Sequence, residues 1–122
     1  MTTQARLTVA GVSAVTAKAI QGIASNGMSG AGTTQATATP LQCDVCKFST
    51  VGANSGAIIP PSNSGDSGIV YNAGANALSL YPPVGAIING GATNAAYSIA
   101  TATPYCEWTC VDPLTYIACQ SA

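Results

Sequence analysis

The sequence predicts a mainly β protein: a small antiparallel β-sandwich or barrel over residues 41–122, preceded by an extended N-terminal arm over residues 1–40. Three observations carry this. Turn markers recur at short intervals, at Pro60-Pro61, Asn72-Ala73-Gly74, Pro82-Pro83, Asn89-Gly90 and Asp112-Pro113, and each closes a short apolar run. Period-two alternation is visible in two of those runs. It puts Leu78 with Leu80, and Cys106 with Trp108 and Cys110, on single strand faces. The first forty residues, by contrast, are rich in Ala, Thr, Gly and Ser.

Taken in order, residues 7–23 ("LTVAGVSAVTAKAIQGI") follow Arg6 and carry a secretion-signal flavour, with Ala17-Lys18-Ala19 mimicking a cleavage site. Small side chains and Lys18 make the stretch a poor membrane helix. It reads as the arm or a first element, with room for one short helix over residues 12–24. Residues 25–40 ("SNGMSGAGTTQATATP") contain no run of large apolar residues and cannot close a core alone. Stretched out, forty residues reach roughly 130 Å, enough to lie across neighbouring subunits. From Leu41 onward short strands alternate with turns, which is the rhythm of a sandwich or barrel. No repeat of fixed period stands out.

Composition narrows the function. Of 122 residues 48% are apolar, but 22 are Ala, so the core is modest. Only seven residues are charged: Arg6, Lys18, Lys47, Asp44, Asp66, Glu107 and Asp112. At 6% this is far below the usual share of about 25%. A chain so neutral is expected to hide surface against other subunits rather than to rely on charge for solubility. Three basic residues and a net charge of −1 leave no basic patch for nucleic acid and no basic helix for a membrane surface.

The phrase most suggestive of catalysis is "GDSG" at residues 65–68, the surroundings of the serine nucleophile in chymotrypsin-like proteases. That chemistry needs a histidine base, and the chain has none. A Ser–Lys dyad would need Lys18 or Lys47, neither set in a supporting motif. Ser67 therefore reads as a turn residue at a strand entrance. The carboxylates of Asp44, Asp66, Glu107 and Asp112 form no pair in sequence, so no catalytic or cofactor-binding residue is assigned.

Five cysteines leave three readings. Cys43-x-x-Cys46 with Cys106-x-x-x-Cys110 sketches a four-thiolate zinc site. On a strand, however, Cys106 and Cys110 lie roughly 13 Å apart, so no metal site is assigned. A disulfide framework is the second reading, with a hairpin over residues 112–116 setting Cys119 opposite Cys110. Free, mostly buried thiols acting as small apolar side chains are the favoured reading. Tyr81, Tyr105 and Trp108 are the candidates for an exposed aromatic, glycan-stacking surface, although aromatics spaced through strands more often serve core or interface.

Residues 32–39 ("GTTQATAT"), residues 58–100 ("IIPPSNSGDSGIVYNAGANALSLYPPVGAIINGGATNAAYSIA") and a closing aromatic at Tyr116 resemble a group of small proteins encoded by tailed bacteriophages. The middle motif is the specific one and covers about a third of the chain. Two features depart from the group pattern: Tyr116 stands where Trp is expected, and the five cysteines are particular to this chain. The resemblance implies a non-enzymatic virion structural protein assembled in the host cytoplasm, foremost a capsid decoration (cement) protein. It implies a homotrimer with the major capsid protein as partner, the arm strapping neighbouring subunits. A receptor- or glycan-binding module of a head fibre or tail is the alternative.

Overall fold

Every turn marker named above ends a strand. The computed structural model describes residues 24–101 and 105–121, which form ten strands and, among the described residues, no α-helix. The strands are β1 (Ala24–Ser29), β2 (Thr39–Pro40), β3 (Val45–Thr50), β4 (Gly56–Ile58) and β5 (Ser67–Asn72). They continue with β6 (Leu78–Tyr81), β7 (Ile87–Ile88), β8 (Tyr97–Ile99), β9 (Tyr105–Asp112) and β10 (Thr115–Gln120). A single 3-10 turn spans Gln35–Thr37. Proline or Asn-Gly follows β4, β6 and β7 directly or within a residue, because neither pair continues a ladder.

The strands make two sheets, and the mainly β expectation holds. The larger has the order β1-β3-β5-β9-β10-β7 and the smaller β2-β4-β6-β8. The chain alternates between them strand by strand until the final hairpin. Each strand from β3 to β7 therefore returns to its own sheet after one lap, running in the same direction as before. β1, β3 and β5 are parallel neighbours, as are β2, β4 and β6. Only β8, β9 and β10 bring antiparallel pairing. The expected purely antiparallel arrangement is thus corrected to two mixed sheets, the crossover between parallel strands being the intervening strand of the other sheet. The register pairs Ala24–Val45, Val45–Ile69, Thr39–Ala57 and Gly56–Ser79 give laps of 21, 24, 18 and 23 residues. Such uneven laps leave no fixed period in the sequence.

Residues 24–40 belong to this architecture. β1 pairs with β3, and β2 with β4, so the boundary expected at Leu41 is not a seam in the fold. The segment's two strands and the 3-10 turn at Gln35–Thr37 lie within the same domain. The remainder of the expected arm and most of the allowed helix lie outside the described residues; Ala24 opens β1.

The core lies between the inner faces of the sheets. Phe48, Val70, Trp108 and Tyr116 come from the larger, and Leu78, Leu80 and Ile99 from the smaller. Each such large side chain contributes about 1.5–3 kcal/mol by leaving water. The predicted alternations are both present, with Leu78 and Leu80 buried on β6 and Cys106, Trp108 and Cys110 buried on β9. A bulge completes the pattern: Thr115 faces Asp112 while Tyr116 faces Cys110, so Val111 is skipped. Without that extra residue Tyr116 would face Val111 and turn outward.

Asparagine amides pin neighbouring segments together, and Asn72 does so across the two sheets. Asn72, fully buried on β5, donates from Nδ2 to the carbonyls of Asn76 (2.9 Å), Ile99 (3.2 Å) and Ala100 (2.9 Å). Its Oδ1 accepts from the Gly74 amide at 3.0 Å. Asn89 accepts from Ala118 N and donates to Ala118 O, both at 2.9 Å, so its side chain imitates a further ladder rung beside β10. Asn94 Oδ1 accepts from Gly85 N at 2.6 Å and from Gln35 Nε2 at 3.2 Å.

Candidate functional site

The GDSG phrase spans the end of a turn and the start of a strand: Gly65 and Asp66 close the turn, and Ser67, expected in the turn, opens β5 with Gly68. Gly65 N donates to Cys110 O, and Cys110 N to Asp66 O, both at 2.8 Å. Asp66 N donates to Asn63 O at 3.0 Å, and Asn63 N returns a bond to Asp66 Oδ2 at 2.9 Å. Gly65 sits at φ 93°, a region that penalises any side chain. Gly68 is required for a different reason. It faces Trp108 across the ladder, and a Cβ there would fall 2.7 Å from the indole Nε1. Both glycines and the aspartate thus have local structural work.

Ser67 is exposed at the head of β5. The register sets Lys47 beside Tyr71, four residues along β5 from Ser67 and roughly 13 Å away by strand rise. The two do not form a dyad.

Ser67 and Asp66 do line a surface cleft of about 580 Å³, together with Gln42, Cys43, Asp44 and the edge of Trp108. Pro60, Pro61 and Ser62 also line it. The Ser62 amide donates to the Tyr116 hydroxyl at 3.2 Å. Burial, reinforced by the Cys110 side chain, pushes the Tyr116 phenol above its ordinary range.

The cysteines separate into two kinds. Cys43 and Cys46 are joined as a disulfide, with Cα atoms 5.9 Å apart, which corrects the expectation that all five thiols are free. The bond closes the turn entering β3, with the Cys43 sulfur 3.8 Å from Met28 Sδ. Cys106 and Cys110 are free and buried, and Cys119 is free and exposed. Burial pushes the Cys106 thiol up to about 11, partly opposed by a hydrogen bond from the Cys119 backbone. Cys119 faces Glu107 rather than Cys110, because the hairpin turns tightly at Pro113-Leu114 instead of over residues 112–116, and the two thiols point to opposite faces. Among the described residues no three His, Cys, Asp or Glu side chains converge to hold a metal.

The three aromatic candidates are not brought together. Trp108 is 5% exposed and packs against Tyr116, ring centroids 6.2 Å apart. Tyr81 reaches toward Thr33 O at 3.4 Å, and Tyr105 stands on the solvent side of β9.

Sequence reasoning missed a second surface. Pro40, Pro60, Pro61, Pro83 and Pro113, with Ile58, Ile59, Val84 and Leu114, line an apolar groove of about 530 Å³. Five of the chain's seven prolines meet here, and no charged residue does. Val84 is 75% and Leu114 59% exposed. The prolines were legible only as turn markers; their convergence needs the two-sheet lap. No helix of the described residues is long and apolar enough to cross a membrane. No known family, curated protein or solved structure matches the chain.

Proposed function

We propose that the protein is a non-enzymatic structural subunit of a phage virion, foremost a capsid decoration protein that trimerises and binds the major capsid protein. The observation that supports this reading is the proline-lined groove. It is uncharged, stiffened by five pyrrolidine rings and rimmed by exposed Val84 and Leu114. A large apolar patch of this kind marks a protein–protein contact, and rigid walls keep the ordering cost of binding low. The phage resemblance of residues 58–100 supplies the setting. Affinity would come from modest apolar contacts multiplied over many copies.

In this reading residues 1–23 strap the neighbouring capsid subunits. Removal of residues 1–23 tests it, because a longer cut would take β1 from the larger sheet. The truncated chain is expected to melt as a folded β protein but to fail to co-sediment with capsids. Undiminished co-sedimentation refutes the strap. The alternative, a glycan- or receptor-binding module, draws support from the polar cleft beside Trp108, where Gln42, Ser62 and Asp66 supply hydrogen-bonding groups. Quenching of Trp108 fluorescence by a glycan would favour it.

A further inference from the structure

The outward face of the larger sheet carries the side chains of an interior. The register sets Val45, Ile69, Glu107 and Cys119 in one cross-strand row. Lys47, Tyr71 and Tyr105 form the next, and Ser67, Thr109 and Ile117 the third. Val45, Tyr105 and Ile117 are exposed large apolar residues, and Val111 stands out beside them at the bulge. A sheet face turned to water normally alternates to polar residues; here Lys47, Ser67, Glu107 and Thr109 are polar, while six of the ten paired positions hold Val, Ile, Tyr or Cys.

Its central charges are Lys47 and Glu107, Asp112 lying at the far end of β9 with its carboxylate held by the Leu114 amide, and Lys47 is the sole cation among the described residues. Neither makes an ion pair within the described residues; the Lys47 ammonium lies 5.9 Å from the centre of the Tyr71 ring. Lys47 is on β3 and Glu107 on β9, with β5 between them. The point midway between the two charges therefore falls on β5, between Ile69 and Tyr71. A patch whose opposite charges flank an apolar centre is complementary to itself under a two-fold rotation.

We propose that this face is an interface with a second copy of the chain. The two larger sheets pack face to face, Ile69 and Tyr71 at the centre, and Lys47 of each copy meets Glu107 of the other. The layer is about 10 Å thick, as in stacked sheets generally, and each ion pair occurs twice. The contact is isologous and independent of three-fold association. A chain making only this contact is a dimer, and one making both is a hexamer.

The test is charge reversal in the full-length chain, read by native mass spectrometry and light scattering. The wild-type protein is expected to contain an even number of copies. Lys47→Glu and Glu107→Lys each place like charges together twice and should weaken the association about tenfold or more. The double variant Lys47→Glu/Glu107→Lys restores it. Melting temperature and circular dichroism of each variant serve as the folding control. A wild-type monomer or trimer overturns the proposal, as do single reversals that leave the mass unchanged. A double variant that stays dissociated while folded also overturns it, and points to the apolar face being covered by something other than itself.

Discussion

Replacing Asn72 tests whether a single buried amide holds the two sheets in register. The residue is fully buried, and its side chain serves three carbonyls and one amide. Asn72→Ala strands all four groups. An unmet buried polar group costs about 1–3 kcal/mol, but carbonyls retain a second lone pair and water reaches the partly buried ones, so about 3 kcal/mol in total is expected. For a domain of this size that is a fall of roughly 12–20 °C in melting temperature. Asn72→Asp is more informative. It keeps the acceptor for Gly74 but turns a carboxylate oxygen toward three carbonyl oxygens. Its folded pKa must rise above the unfolded value of about 3.9. The neutral acid is the form the site tolerates, so stability is greatest below that pH and is lost as pH rises through the folded pKa. Thermal unfolding followed by circular dichroism should show Asn72→Asp below Asn72→Ala at pH 7, with the gap closing at pH 4. A loss under about 1 kcal/mol for Ala, or an Asp variant insensitive to pH, would refute the pin.

Two further predictions concern the motif and the thiols. Gly68→Ala drives a methyl into the Trp108 indole and should cost about 1–3 kcal/mol with a shifted Trp emission. Ser67→Ala, at the exposed neighbouring position, should stay within about 0.5 kcal/mol; equal effects would mean that the serine has a role the turn does not explain. Alkylation of the native protein should place at most one label, on Cys119, with Cys106 and Cys110 reacting only after unfolding and Cys43 and Cys46 only after reduction. The raised Cys106 thiol adds a pH signature. Stability from the neutral buried thiol is fully present below the ordinary value of 9.0 and is lost as pH climbs toward about 11. Cys106→Ala should flatten that alkaline decline, and an unchanged slope would assign it to other groups.

What the sequence revealed was local. Strand ends were legible because proline and Asn-Gly act on their own backbone, and the faces of β6 and β9 because alternation is a property of a single strand. Parallel pairing was not legible, since nothing within β3 or β5 records which distant strand lies beside it, and laps of unequal length erase the repeat. The Val111 bulge was hidden for the same reason, and with it the true partner of Cys119. The missing histidine was enough to set aside a nucleophilic reading of GDSG, and its glycines were enough to suggest a turn at the entrance to a strand. That Gly68 lies under Trp108, forty residues later, required the register. The groove gathers five prolines from four separate segments of the chain, so no local signal pointed to their meeting.

Electron cryo-microscopy of the phage particle proposed to carry this chain tests the central claim most directly. The account predicts density for the two mixed sheets on the outside of the capsid, with the Val84–Leu114 groove against the major capsid protein and residues 1–23 continuing from β1 over a neighbouring subunit. Particles whose shell shows no such density, or a groove facing solvent in every copy, would contradict it.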